Sequence, residues 1–132
     1  MSGSERNADV VRRGYTAFNR ADVDTLSEVF AENSSWHTPG NSAAAGDAIG
    51  RDQVFAQFAR YGGETEGTFK ATLREVFASP DGRVVGLHHN SGERNGKQLD
   101  TECCIVFELE NGRITSGREY FYDLDNWDTF WS

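Results

Sequence analysis

Turn signals divide the second half of the chain into long, evenly spaced segments, and this pattern limits the fold more than any other feature. Ser79-Pro80-Asp81-Gly82, Asn95-Gly96 and Glu110-Asn111-Gly112 are residue runs that reverse a chain. Asn-Gly supplies the positive φ at both central positions of a type I′ hairpin turn. Between them, Thr68–Phe77, Val84–Glu93, Gln98–Leu109 and Arg113 to about Tyr122 are rich in residues that suit strands. The expectation is a meander of four long antiparallel strands. The first half has a helical period instead. Val10, Val11, Gly14, Tyr15, Ala17 and Phe18 predict a helix over Glu5–Asn19. Asp22 is placed to cap a second helix, DVDTLSEVF, which Asn33-Ser34-Ser35 should break. A short strand Ser35–Thr38 would stop at Pro39-Gly40, followed by a flexible small-residue loop over 41–50. A third helix should run from Arg51 to about Tyr61 and end at Gly62-Gly63. Helices followed by a meander indicate an α+β fold. The expected architecture is a curved antiparallel sheet wrapped around three N-terminal helices, a cone with an apolar pocket. No linker or repeat interrupts the 132 residues, so one domain over 1–132 is expected.

Composition narrows the function. A net charge of -8 argues against nucleic-acid binding, which needs a basic surface, and against docking on an anionic membrane. No apolar run approaches the ~20 residues that span a bilayer. MSGSERNADVVRR has no apolar core of a secretory signal. The only cysteines, Cys103 and Cys104, are adjacent in a predicted strand and so point to opposite faces, which suits neither a disulfide nor a shared metal. A reduced, cytoplasmic protein is expected. Nine Phe, four Tyr and three Trp can fill a core and also line a ligand pocket.

The order helix, helix, short strand, helix, hairpin-linked strands resembles the nuclear transport factor 2-like fold, also called a cystatin-like α+β roll. The segments AFNRADVDTLSEVFAENSSWHTPG, GRDQVFAQF and VFELENGRITSGREYF are similar to its SnoaL-like, ketosteroid-isomerase-related branch. That fold hosts isomerases, cyclases, hydrolases, dehydratases and binders, so activity must come from the site. The steroid-isomerase base and its two oxyanion donors match Thr38, Gly14 and Thr101, none of which supplies the required group. In the Asp-Arg-Asp set of limonene epoxide hydrolases the arginine matches Gly86 and the two aspartates match His88 and Glu119, so the arginine is missing. Glu119 also resembles the acid/base carboxylate of SnoaL-like polyketide cyclases.

The stretch GLHHN, residues 86–90, concentrates the question. Strand alternation sends His88 into the cone and His89 outward. Glu119 shares the inner face of the last strand with Gly117 and Phe121. The expectation is a His88–Glu119 dyad that moves a proton on a ligand; a self-satisfied polar pair is the competing reading. Trp36, Thr38, Thr101, Cys103, Phe121 and Tyr15 are expected to shape the substrate pocket. His37 should face away from it. No spacing of ligating residues suggests a metal, and no cofactor is expected. The partners expected are an apolar oxygenated small molecule and a second copy of the chain. That copy would dock through the convex sheet face, with His89 and Cys104 as candidate contacts. The tail WDTFW is expected to pack over a sheet edge or the pocket mouth. Two functions fit: a cofactor-independent acid/base enzyme of isomerase or cyclase type, and a non-catalytic binder or dimeric scaffold.

Overall fold

The computed structural model describes residues 2–132. Helix α1 (Gly3–Asn19) starts where the Ser2 hydroxyl accepts from the Glu5 N–H. Helix α2 (Val23–Val29) starts where the Asp22 carboxylate accepts from the Thr25 N–H, as the capping pattern predicts. Strand β1 (Phe30–Thr38) and β2 (Gly46–Ile49) precede α3 (Arg51–Gly63). Strands β3 (Lys70–Ala78), β4 (Arg83–Arg94), β5 (Lys97–Glu110) and β6 (Arg113–Phe121) form the meander, and α4 (Leu124–Trp131) ends it. The sheet order is β2-β1-β6-β5-β4-β3. Helix α1 lies against β3, β4 and β6, α2 against β1 and β6, α3 against β1 and β2, and α4 against β5. Asn95, Gly96, Asn111 and Gly112 all have positive φ, so both Asn-Gly pairs turn as their sequence requires. No helix among the described residues is long and apolar enough to cross a membrane.

Four expectations need correction. First, the α2 segment is not separated from a short strand, because β1 already begins at Phe30. Asn33-Ser34-Ser35 sits where the β1–β6 register shifts, so these turn-forming residues mark an irregularity inside a strand. Second, the loop over 41–50 contains β2, paired antiparallel with β1, and Gly50 N–H donates to the Ser34 carbonyl at 2.7 Å. Third, the sheet is not wholly antiparallel, because β1 and β6 pair in parallel. Fourth, the tail is a helix. Asp123 caps it through the Asn126 N–H, and Trp127, Phe130 and Trp131 are buried on one face.

The core has two parts. One joins Val11, Val29, Phe30, Trp36, Val54, Phe107 and Ile114 between the helices and the inner sheet face. The other gathers Tyr61, Phe69, Leu99, Trp127, Phe130 and Trp131 under α4. A narrow chamber lies at their junction.

Candidate functional site

The chamber is walled mostly by apolar side chains, among them Val11, Phe18, Phe58, Phe69, Phe107 and Ile114. Five polar groups also reach it: Tyr15 from α1, Tyr61 from α3, His88 and Asn90 from β4, and Glu119 from β6. Its volume is about 50 Å³, against the ~10–15 Å³ that one water requires. That suits a molecule of few non-hydrogen atoms. A second recess of about 270 Å³ lies between α3 and the β1–β2 hairpin, and Trp36 lines both spaces.

Glu119 is 4% exposed and accepts a hydrogen bond from the Tyr61 hydroxyl at 3.2 Å. Tyr61 is held in turn by Thr38 and by Gln57 Nε2, each at 3.1 Å. Burial pushes the Glu119 carboxyl up to about 7, against partial opposition from Thr38, Tyr61 and Trp36. Of these three, Tyr61 alone bonds it in hydrogen-bonding geometry; the Trp36 indole N–H stops short of it. Near pH 7 this carboxyl therefore exists in both protonation states.

His88 is 2% exposed, and burial lowers its pKa to about 4, so at neutral pH the ring is uncharged. Its hydrogen bonds fix the tautomer. Nε2 meets the Asn90 Oδ1 at 3.0 Å, an acceptor, so Nε2 carries the proton. Nδ1 is then an acceptor and takes the Tyr15 hydroxyl at 2.7 Å. Burial holds Tyr15 well above its usual range, which keeps that phenol a donor.

The directly bonded His88–Glu119 dyad is therefore not formed. The reason lies in the register: His88 sits opposite Cys103 and Phe121, whereas Glu119 sits opposite Ile105 and, beyond it, Gly86. Alternation gave the correct face for each residue but not a shared row. Both line the chamber at different places, as do Trp36 and Tyr15. Thr38 lies behind Tyr61 and opens on the outer recess. Thr101, Cys103 and Phe121 are not among the lining residues. The Thr101 hydroxyl accepts from the Asp123 N–H and so ties down the start of α4. Cys103 is fully buried, and burial raises its thiol far above the range where a thiolate forms. Phe121 stacks on Trp127 with ring centroids 4.1 Å apart. His37 pairs with Asp47 at 2.6 Å, and His89 lies between Asp100 and Glu102 at 2.7 and 2.6 Å, both on the outer side. Among the described residues no group of three or more His, Cys, Asp or Glu side chains is arranged to hold a metal ion.

Sequence reasoning missed Asn90 and Tyr61. Asn90 carried a signal, since it lies two residues beyond His88 on the same strand face. Two strand glycines were also signals. A Cβ on Gly86 would stand 2.6 Å from the Tyr15 hydroxyl, and one on Gly117 would stand 2.3 Å from Trp36 Cζ3. Each glycine makes room for an aromatic side chain of the chamber.

The described fold is shared with solved structures. Bal32a, from a soil-derived mobile gene cassette, is 62% identical with a TM-score of 0.98, covering 99% of this chain and 100% of that one. An NTF2-like protein of Burkholderia xenovorans is 21% identical with a TM-score of 0.83 over 98% of both chains, which speaks for the fold alone. An uncharacterised protein of Mycobacterium tuberculosis is 33% identical over 128 residues, covering 97% of this chain and 98% of that protein. The family model of the SnoaL-like domain matches residues 11–117, so the chain belongs to the SnoaL-like family.

Proposed function

We propose that the protein is a cofactor-independent acid/base enzyme of isomerase or cyclase type, acting on a small, apolar, oxygenated molecule, with Glu119 as the proton carrier. One observation carries this reading: a carboxyl in an apolar chamber, raised by burial to about 7 and held by one phenol hydroxyl. In its ionised form Glu119 takes a proton from a carbon next to a carbonyl, and in its protonated form it returns that proton to the same or a conjugated carbon. No atom or electron is gained or lost. The test is hydrogen exchange in D₂O with cyclobutanone, cyclopentanone and cyclopent-3-enone, followed by proton NMR. Loss of the α-hydrogen signals faster than in buffer, rising with pH through about 7 to a plateau as Glu119 ionises, is expected; exchange at the buffer rate for all three would overturn the reading.

The chamber volume of about 50 Å³ favours one alternative, a binder of small molecules without turnover. For that alternative the same ketones would perturb chamber resonances yet exchange no hydrogen.

The partner proposed with either reading is a second copy of the chain. The outer sheet face sets Val85, Leu87, Cys104 and Val106 between Phe77 and Tyr120, which are 59% and 51% exposed. An apolar band of that kind is what an interface buries. Sedimentation at micromolar concentration is expected to give a dimer, and Tyr120→Glu a monomer. A wild-type monomer would remove the proposal.

A further inference from the structure

Tyr15, His88 and Asn90 form a hydrogen-bonded chain running in one direction. The Tyr15 hydroxyl donates to Nδ1, Nε2–H donates to Asn90 Oδ1, and the chain ends at Asn90 Nδ2. Asn90 is 1% exposed, lines the chamber, and its Nδ2 has no partner among the described residues. Leaving a buried amide N–H unpaired costs about 1–3 kcal/mol. Unpaired buried groups at Ser34, Trp127 and Trp131 belong to residues that do not line the chamber, whereas the Trp36 indole N–H, also unpaired, belongs to one that does and is the rival donor. Asn90 differs because its orientation is tied to its neighbours: turning the amide would make Nδ2 donate to Nε2 and move the ring proton to Nδ1, leaving the Tyr15 hydroxyl hydrogen without an acceptor among the described residues.

We infer that the Asn90 Nδ2 amide is the ligand-orienting donor of the chamber, and that it receives the carbonyl oxygen of a small neutral ketone or aldehyde. His88 and Tyr15 are positioning residues that aim it. The ligand is neutral because no lysine or arginine among the described residues lines the chamber, while Glu119 does. A carboxylate entering it would meet a second carboxyl with no cation to offset the charge. An N–H donor in an apolar wall selects an uncharged acceptor oxygen. This inference rests on reading the Glu119 chamber as the ligand site; it assigns to Asn90 the carbonyl oxygen and to Glu119 the neighbouring carbon.

The test compares cyclobutanone with methylenecyclobutane, in which a CH₂ group replaces the oxygen at nearly constant shape. Both are titrated into the wild-type protein in D₂O/H₂O and followed by nitrogen–proton NMR. The ketone is expected to bind about tenfold more tightly and to move the Asn90 side-chain amide signal downfield, which the hydrocarbon does not do. Asn90→Leu should abolish the preference; a preference that survives Asn90→Leu and is lost in Trp36→Phe would give the oxygen to the Trp36 N–H and overturn the inference. Should Asn90→Leu fail to fold, the wild-type amide signal decides the matter. Equal binding of the two probes, no binding of either, an unmoved Asn90 amide, or a preference that survives Asn90→Leu would each overturn the inference. Selective ketone binding without α-hydrogen exchange would sustain it while counting against the acid/base reading. Exchange that proceeds unchanged in Asn90→Leu would do the reverse.

Discussion

Glu119→Gln is expected to remove at least about 100-fold of any proton-exchange activity while making the protein more stable above pH 7. The two effects have one cause. A carboxyl raised from 4.5 to about 7 by burial binds its proton more tightly folded than unfolded. Between those values the folded state carries more protons than the unfolded state, so stability falls as pH rises from about 4.5 to about 7. The loss is on the order of 3 kcal/mol. Glutamine keeps the shape, has no charge to desolvate, and escapes that loss. Urea midpoints of both proteins, measured from pH 4 to pH 8.5, check this. The difference in unfolding free energy should grow in favour of the variant across the window; a constant difference would show that Glu119 is ordinary.

His88 acts in the opposite direction. Its pKa is lowered from 6.5 to about 4, so the folded state carries fewer protons there than the unfolded state, and stability is lost as pH falls from 6.5 to 4. In the wild type the two contributions oppose each other between about 4.5 and 6.5. Glu119→Gln should therefore expose a slope rising with pH, and His88→Asn a slope falling with pH. A chamber that holds a neutral base and a half-ionised acid at pH 7 is costly for stability in either direction. Such a cost is common where a site is arranged for chemistry.

The fold was largely legible because its strongest signals are local. Asn95-Gly96 and Asn111-Gly112 require positive φ, and both turns adopt it. The Asp22 cap likewise needs only the three residues after it. The parts that were not legible depend on distant partners. Asn33-Ser34-Ser35 has turn-forming residues, and partners distant in sequence make it strand: Ser35 pairs with Ile49 of β2 and Ser116 of β6, and the Ser34 carbonyl takes the Gly50 N–H. Helix α4 is short and rich in Asp and aromatics, with weak helix propensity; burial of Trp127, Phe130 and Trp131 outweighs that. At the site, period two fixes which face a residue takes, and His88, Asn90 and Glu119 are all buried as that rule requires. It does not fix how far along neighbouring strands two residues sit, so the His88–Glu119 contact was the wrong pairing. Tyr61 was hidden for a similar reason: its bond to Glu119 joins residues 58 positions apart.

Gly117→Ala is expected to destabilise the protein by about 1–3 kcal/mol, although alanine suits a strand better than glycine does. Gly117 pairs with Trp36 across the parallel β1–β6 ladder, and the indole folds back over it. An added Cβ would lie 2.3 Å from Cζ3 and 2.5 Å from Cε3. Phe58 meets the ring edge-on at 4.9 Å and Phe30 and Phe107 flank it at 6.2 and 6.0 Å, so it can yield only by breaking these aromatic contacts. Either the indole leaves its position or β6 moves away from β1, and both change the chamber wall beside Glu119. Gly62→Ala provides the contrast. Gly62 lies in α3 without positive φ, and nothing stands within 4 Å of the added carbon. There the same methyl should stabilise by about 0.4–1 kcal/mol by restricting the unfolded chain and favouring helix. Thermal unfolding of the two variants beside the wild type should therefore shift in opposite directions. A neutral Gly117→Ala would mean that Trp36 is loosely held and that the chamber can open at little cost, which would make larger ligands than a four-membered ketone worth testing.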